Sequence, residues 1–330
     1  MRITNLLPET NIIHVGDNVE ILRSLPDNSV DMCVTSPPYY NQRDYKNDNQ
    51  IGTEDTVELF VEKLCEVFGE VHRVLKDTGS LWVNIADTYD KKRLLQVPSR
   101  FEIAMTDDII YSSAPPFTGN GWYLRNEIIW NKPNPQPISS KDRFWSNHEK
   151  IFWFVKKTKG YYFDREHILL PQAEISVKRM FSKNHMENRK DKNATEKEGF
   201  SLNSQNQDKH YARMREELGI EKDFDYNQLI KEGKCPMRPM MSVWDISSSS
   251  AVKGAHFATY PEELITKPIL STCPENGIVL DPFMGSGTTA IVAANNNRRY
   301  IGCELNSVYA DLANERIKDS IVDNLETFLG

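Results

Sequence analysis

The sequence predicts an α/β fold: a mostly parallel, twisted sheet with helices on both faces and an insertion between its two halves. Three observations predict it. Short apolar runs of strand length alternate with longer stretches of helical spacing. Residues 277–305, GIVLDPFMGSGTTAIVAANNNRRYIGCEL, read as one complete strand, turn, helix and strand. A polar stretch from 172 to about 210 interrupts the alternation once.

Taken in order, residues 11–15 are expected to form a strand and residues 19–25, after Gly16-Asp17, a helix. Residues 30–35 form a second, almost wholly apolar strand, the pattern of a strand covered on both faces. It stops at VTSPPYY, because proline has no N–H to give to a ladder. Val57, Phe60, Val61, Leu64, Val67, Phe68, Val71 and Leu75 repeat at helical spacing and predict a helix over 56–75, ended by Thr78-Gly79. Residues 80–85, 127–130 and 151–155 are strands. Residues 172–210 hold too few apolar side chains to pack and are expected to be mobile unless a partner orders them. Residues 211–231 regain a helical pattern, and 261–270 form a helix with Pro261 at its start. Residues 277–280 and 300–303 are strands around a helix at 288–295.

Composition narrows the class. The chain has 330 residues, 39% apolar and 26% charged, which suits a globular core carrying an insertion. No apolar run approaches the ~20 residues that span a bilayer, and the N-terminus lacks a secretory signal, so the expected location is cytoplasmic with no membrane partner. Five cysteines without a CxxC pair argue against a disulfide framework or a zinc site; Cys33 and Cys303 are expected in the core, and no metal is expected. The net charge is −7, but residues 120–245 carry +5 between flanks of −8 and −4. A basic middle third is what a segment meeting a polyanion would show; a solvated surface insertion fits equally.

The turn at 281–287 asks for a ligand. Gly285 and Gly287 let the backbone bend and be approached closely. Glu304, at the tip of the next strand, stands near the ~20-residue spacing of an acidic group that takes ribose hydroxyls. No lysine follows Gly287, which excludes a P-loop. Asp281 would repel a pyrophosphate and attract an ammonium, which disfavours NAD and favours S-adenosylmethionine with its amino-acid tail. A methyl donor then gives TSPPYY a purpose. An exocyclic amine of a nucleobase is a poor nucleophile, and acceptors aimed at its N–H groups would localise its lone pair. The Pro37-Pro38 kink can aim the carbonyl of Ser36 or Pro37, Ser36 can add its hydroxyl, and Tyr39 can stack on a base flipped out of the duplex. A strand-ending turn with an incidental aromatic is the plain alternative.

Together these motifs resemble those of the DNA amino-methyltransferases, which methylate cytosine N4 or adenine N6. Ser36-Pro37-Pro38-Tyr39 matches their catalytic signature Asp/Asn/Ser-Pro-Pro-Tyr/Phe, and Asp281-Pro282-Phe283-Met284-Gly285-Ser286-Gly287 their cofactor signature. The catalytic motif precedes the cofactor motif, as in the permuted β group. GDNVEIL at 16–22 is similar to the segment whose aspartate, here Asp17, contacts the cofactor adenine. HFATYPEEL at 256–264 resembles a His-Pro-Ala-x-Phe-Pro segment near the methionine end of the cofactor, which brings in His256, and departs from it at Phe257 and Tyr260. LRNEIIWNKPNPQP at 124–137 and Asp142, Arg143, His148 and Glu149 also look familiar.

The resemblance implies a Rossmann-like methyltransferase core built from both ends of the chain: a catalytic half at 1–170, a cofactor half at 246–330, and between them a target-recognition insert at 171–245. It implies S-adenosylmethionine as cofactor, bound by Asp17, His256, Asp281, Phe283, Gly285, Gly287, Thr288 and Glu304. It implies duplex DNA as substrate, with Arg43, Arg143, Lys178, Arg179, Arg189 and Lys190 as candidate phosphate contacts, although ion pairs or solvated charge would explain these equally. A prokaryotic or phage restriction–modification setting with a cognate restriction endonuclease, and a monomer or homodimer, complete the expectation. Serine at the first motif position is commoner among cytosine-N4 enzymes, and a hydroxyl can donate to cytosine N3 where an ionised aspartate cannot. Cytosine N4 is therefore the expected target, with adenine N6 as the alternative. Cytosine C5 methylation would need a Pro-Cys nucleophile; Cys235-Pro236 and Cys273-Pro274 run in the reverse order. An RNA methyltransferase and a non-catalytic DNA-binding protein remain as more distant readings.

Overall fold

A computed structural model of the chain describes residues 8–42, 50–106, 121–135, 137, 139–181, 210–221, 224–248 and 260–329. The chain divides into two compact units, Met1–His167 with Met241–Gly330, and Ile168–Met240. The larger unit is built on one eight-stranded sheet. Its strands are β1 (Ile12–Val15), β2 (Val30–Thr35), β3 (Leu75–Ile85), β4 (Tyr123–Asn131), β5 (His148–Val155), β6 (Val243–Asp245), β7 (Ile278–Asp281) and β8 (Arg299–Glu304). Their spatial order is β1-β8-β7-β2-β3-β5-β4-β6. Every pairing is parallel except those of β5, which runs against both β3 and β4.

Among the described residues six helices cover the sheet: α1 (Asn18–Ser24), α2 (Val57–Val74), α3 (Val97–Thr106), α4 (Glu262–Thr272), α5 (Thr288–Asn295) and α6 (Ser307–Leu329). Alternation along the strands separates two faces. Leu81, Val83, Phe152, Phe154, Ile278, Leu280 and Ile301 pack in one core with α1, α2 and α3. On the other face Met32 and Trp82 meet Thr272 of α4 through its hydroxyl. Trp82 also stacks on Trp153, centroids 5.2 Å apart and rings within 5° of parallel. α2 buries nine residues on one side and is capped by the Thr56 hydroxyl, which accepts from the Leu59 amide.

The structure corrects three expectations. Thr78-Gly79 does not end a helix. α2 runs directly into β3 at Leu75, and Thr78-Gly79 lies inside that strand as an irregularity between the Val30↔Leu75 and Met32↔Ser80 pairs. A Cβ on Gly79 would stand 2.9 Å from the Lys76 carbonyl and 3.0 Å from the Asp31 carbonyl, so the close backbone approach requires glycine. Residues 241–245 belong to the main sheet rather than to an insert, because Val243–Asp245 pairs in parallel with Ile129–Asn131. Finally, the polar stretch after 172 is not uniformly without structure. Glu174–Phe181 is helical, since Val177 and Phe181, one turn apart, both bury; residues 182–209 lie outside the described residues.

In the smaller unit Leu169–Pro171 pairs antiparallel with Met237–Pro239. Its helices, Glu174–Phe181, 210–217 and Tyr226–Lys231, close over a core of Val177, Phe181, Ile220, Leu229 and Cys235. Sequence periodicity did not reveal α3 or α6, nor the hairpin that pairs Tyr89–Asp90 with Arg93–Leu94.

Asp31 holds the centre of the sheet's amino-terminal edge. Its carboxylate accepts from Lys76 Nζ at 2.7 Å and from the Ile278 amide at 2.9 Å, joining β2, the start of β3 and β7. Asp31→Ala strands a buried N–H and is expected to lower unfolding stability by about 2 kcal/mol, measured by urea denaturation; a loss under about 0.5 kcal/mol would remove it as a structural tie.

Candidate active site

Strands β2 and β7 lie side by side, yet the chain leaves them in opposite directions across the sheet: β2 leads to β3, β7 to β8. At such a switch point the loops after the strand ends part and leave a crevice. Asp281, the last residue of β7, closes its floor. It is 1% exposed. One carboxylate oxygen accepts from the Thr35 hydroxyl of β2 at 2.6 Å and from the Phe283 amide at 3.0 Å. The other accepts from Thr289 of α5 at 2.5 Å and from the Tyr260 phenol at 3.2 Å, and that phenol also touches the Thr289 hydroxyl. Burial pushes the Asp281 carboxyl up from its usual range, against the opposing pull of these donors. The charge pattern of the turn assigns Asp281 to a ligand ammonium directly; in the structure its oxygens are engaged within the protein, beneath the crevice rather than on its wall.

The glycine turn stands above Asp281. Gly285 has φ +54° and its amide donates to Glu304 Oε2 at 2.8 Å; Oε1 takes the Asn306 amide at 2.9 Å. Burial raises the Glu304 carboxyl, and the two amides offset part of that. Gly287 has φ +86°, and a Cβ there would come within 2.9 Å of Ala313 Cβ on α6, so glycine is required both for conformation and for space. Thr288 opens α5 and is buried. Gly16 donates its amide to the Glu304 carbonyl, and Asp17 caps α1 by accepting from the Glu20 amide. The ends of β1, β7 and β8 thus converge on one wall.

The opposite wall is the Ser36-Pro37-Pro38-Tyr39 loop. Pro37 is buried; Ser36, Pro38 and Tyr39 are half-buried. The Ser36 hydroxyl donates to the Tyr39 phenol oxygen at 3.3 Å, and the phenol donates to Glu149 Oε2 at 2.7 Å. Asn84, at the end of β3, directs its amide at Tyr39 (2.9 Å), at Glu149 Oε2 (2.8 Å) and more weakly at Ser36 (3.5 Å). The other Glu149 oxygen pairs with Lys132, whose ammonium lies 4.2 Å from the Trp130 ring centroid. Burial, and then the negative charge of Glu149, push the Tyr39 phenol well above its ordinary value, so it remains a neutral donor. Behind the loop a Cβ on Gly52 would lie 3.2 Å from the Tyr39 carbonyl, and Glu54 accepts the Gly52 amide at 2.9 Å.

Both walls open on one cavity of about 320 Å³. Asp17, Ser36, Pro37, Pro38, Tyr39, Glu149, Tyr260, Phe283, Gly285, Thr288 and Glu304 are among its lining. The structure therefore brings the two motifs, from opposite ends of the chain, to a single site. It adds Glu149 and Lys132 as a charged brace and Tyr260 as a third hydroxyl on Asp281, beside those of Thr35 and Thr289. Asn84 stands near the end of an expected strand, Glu149 in a familiar His-Glu pair, and Lys132 within the familiar segment at 124–137, where nothing marked it as the partner of Glu149. Arg143 stacks on Tyr89, its guanidinium carbon 3.6 Å from the ring centroid. Lys178 pairs with Glu174 one turn away, and Arg179 is exposed. Arg43, Arg189, Lys190 and His256 lie outside the described residues. Among the described residues no cluster of histidine, cysteine or carboxylates could hold a metal, and no helix is long and apolar enough to cross a membrane.

The chain is similar to known proteins over most of its length. A family model described as DNA methylase, of the N6/N4 methyltransferase type, matches residues 30–315. The Type II methyltransferase M.Cfr9I of Citrobacter freundii is 35% identical over 320 residues, covering 92% of this chain and 86% of its own. M.SmaI of Serratia marcescens is 33% identical, with 92% and 90% covered. Among solved structures, the cytosine-N4-specific PvuII DNA methyltransferase superposes with a TM-score of 0.59 at 19% identity, over 93% of this chain and 90% of its own. A putative DNA modification methylase of Thermus thermophilus, in complex with S-adenosyl-L-methionine, gives 0.53 at 24% identity, over 94% and 95%. On the family match and these relatives, the chain belongs to the N6/N4 DNA methylase family.

Proposed function

We propose that the protein methylates the exocyclic N4 amine of a cytosine flipped out of duplex DNA, with S-adenosylmethionine as donor, as the modification half of a Type II restriction–modification pair. The observation that carries the reading is the serine-led loop, Ser36 to Tyr39, facing the Gly285–Glu304 wall across one cavity. The cofactor-bound neighbour and the Type II relatives support the donor and the setting. Adenine N6 is the second reading, since the family spans both bases.

The residues present fit the donor. Glu304 offers a half-buried carboxylate at a strand tip for ribose hydroxyls, Phe283 and Asp17 border the place for an adenine, and Gly285 and Thr288 line the cavity, while Gly287, packed against Ala313 outside that lining, shapes the turn. Asp281 contributes a negative field from below rather than a contact. When bound, S-adenosylmethionine supplies an electrophilic methyl on sulfonium, and direct transfer needs no covalent enzyme intermediate. This chain's work is to present the amine. The carbonyl at Pro37 and the Ser36 hydroxyl hold its N–H groups and turn the nitrogen lone pair toward the methyl. Tyr39 stacks on the base, its phenol pinned by Glu149 and Asn84 so that the ring cannot swing. As the nitrogen took the methyl, the methyl's bond to sulfur would break to leave a neutral thioether, and the nitrogen would release one proton to the Ser36 oxygen, which is linked through the Tyr39 phenol to the Glu149 carboxylate. Positioning of this kind supplies most of the rate. The Ile168–Met240 unit, with Lys178 and Arg179 on its surface, is assigned to target recognition.

Three outcomes test the reading. Purified protein, incubated with methyl-tritiated cofactor and unmethylated duplex DNA, is expected to put label into N4-methylcytosine when the DNA is digested to nucleosides. Label in N6-methyladenine would overturn the choice of base and keep the site. Ser36→Ala is expected to reduce kcat by about 100-fold with cofactor affinity held within about threefold; an equal loss of both would remove Ser36 from the chemistry. Gly287→Ala, forced into a left-handed backbone against Ala313, is expected to weaken cofactor binding by about tenfold or more, read by isothermal titration.

A further inference from the structure

We infer that the hairpin at 89–94 and the loop at 139–145 form a duplex-DNA contact surface at the rim of the cavity, with Phe144 as the side chain that enters the base stack when the target base leaves it. The inference rests on the proposed DNA substrate and adds where and how the duplex is held.

The position follows from the sheet. The hairpin leaves the end of β3 and the loop leads into the start of β5, two strands paired at Asn84↔Ile151 and Ile85↔Lys150. Asn84, next to last in β3, and Glu149, second in β5, both bond the Tyr39 hydroxyl. Both excursions are therefore rooted at the residues that fix the catalytic loop. They are also joined to each other: Arg143 stacks on Tyr89 at 3.6 Å and Lys92 pairs with Asp142 at 2.8 Å. Ser140 accepts from the Trp145 indole through its carbonyl and donates to Asp142 through its hydroxyl, bracing the loop internally.

The chemistry suits a nucleic-acid backbone. Residues 1–119 are acidic, net −8, yet Lys91-Lys92-Arg93 at the hairpin tip is the one run of three consecutive cations in the chain. Lys91 and Lys92 have φ of +45° and +71°, a region lysine rarely adopts, where Asn-Gly would form the same tight turn without strain. A strained turn kept for charged side chains points to their use. The two excursions carry five cations, Lys91, Lys92, Arg93, Lys141 and Arg143, against the carboxylates of Asp90 and Asp142. Among them Phe144 is 97% exposed and Trp145 50% exposed. An aromatic ring held almost wholly in water between cations is poorly placed for folding. It is well placed to fill the gap left in a duplex, where stacking repays the ring's exposure and opens the step beside it.

The test begins by mapping the methylated sequence in DNA treated with wild-type protein. Two duplexes carrying that sequence are then compared, one fully paired and one with an abasic site opposite the target base, which removes most of the cost of flipping. Phe144→Ala is expected to lower kcat/KM on the paired duplex by about tenfold or more and to stay within about threefold of wild type on the abasic one, with cofactor affinity unchanged. No loss on the paired duplex, or an equal loss on both, overturns the wedge. Lys91→Gln/Lys141→Gln is expected to weaken DNA binding and to flatten the dependence of log affinity on log salt by about 2; an unchanged slope overturns the contact surface. If the wild-type protein binds cofactor and labels no DNA, the functional reading itself fails and this inference with it. Wild-type activity with indifferent variants overturns the inference alone.

Discussion

The buried carboxylate of Asp281 is the interaction on which the rest of the site depends. It lies at the point where the sheet's two directions of travel diverge, and nothing covalent joins the strands there: Thr35 and Asp281 are 246 residues apart and 2.6 Å from oxygen to oxygen. A carboxylate with no water must be hydrogen-bonded or neutralised. Here four donors converge on it, from β2, from α5, from the turn after β7 and from Tyr260. Each belongs to a different part of the site. The carboxylate thus fixes the catalytic loop, which starts one residue after Thr35, relative to the glycine turn, which starts one residue after Asp281. A site assembled from both ends of a chain needs such a rivet, because no local sequence can set the distance between its halves.

The second constraint acts on the catalytic wall. Tyr39 could swing on its side-chain torsions, and a swinging ring would present a base at no fixed angle. Glu149 prevents this by accepting its phenol, and Glu149 is held by Asn84 and by Lys132. Since a carboxylate only accepts, the Asn84 amide nitrogen must face it, and the same amide then reaches Tyr39 and Ser36. One ion pair therefore sets the orientation of three side chains. The brace exists because β5 runs antiparallel to β3. Only that reversal brings the start of one strand beside the end of the other, at the cavity mouth.

How much of this the sequence disclosed follows from the range of each signal. The glycine turn and TSPPYY were legible because their chemistry is contiguous: a strand, a breaker and the reacting groups lie within a short stretch of chain. α5 and β2 were legible in full, since their apolar patterns run to the caps. Thr78-Gly79 misled because a threonine and glycine after an amphipathic run are a helix-stop signal, while the backbone contact that places Gly79 within a strand comes from Asp31, far earlier in the chain. Lys132 and Glu149 were opaque as a pair because their proximity is a property of register, across 17 positions of the chain. Asp281 was recognised as a site residue and misassigned in its contact: the charge was legible, and the donors that the fold brings to it were not.

The same network bears on why serine rather than aspartate suits position 36. An aspartate at position 36 would lie in contact distance of Tyr39, whose phenol is already committed to one carboxylate. Two carboxylates on one phenol repel unless one is protonated or another cation arrives. Lys132 is the cation beside Glu149, and its charge is spent on that partner. With serine, the wall facing the base carries one carboxylate balanced by one ammonium, plus neutral hydroxyl and amide dipoles. Such a wall can accept from an exocyclic amine and present a hydroxyl to the ring nitrogen beside it, an edge that cytosine (N4 and N3) and adenine (N6 and N1) share. The Glu149–Lys132 pair thus makes serine electrostatically consistent at position 36, and the proposed choice of cytosine over adenine rests on the serine-led motif itself.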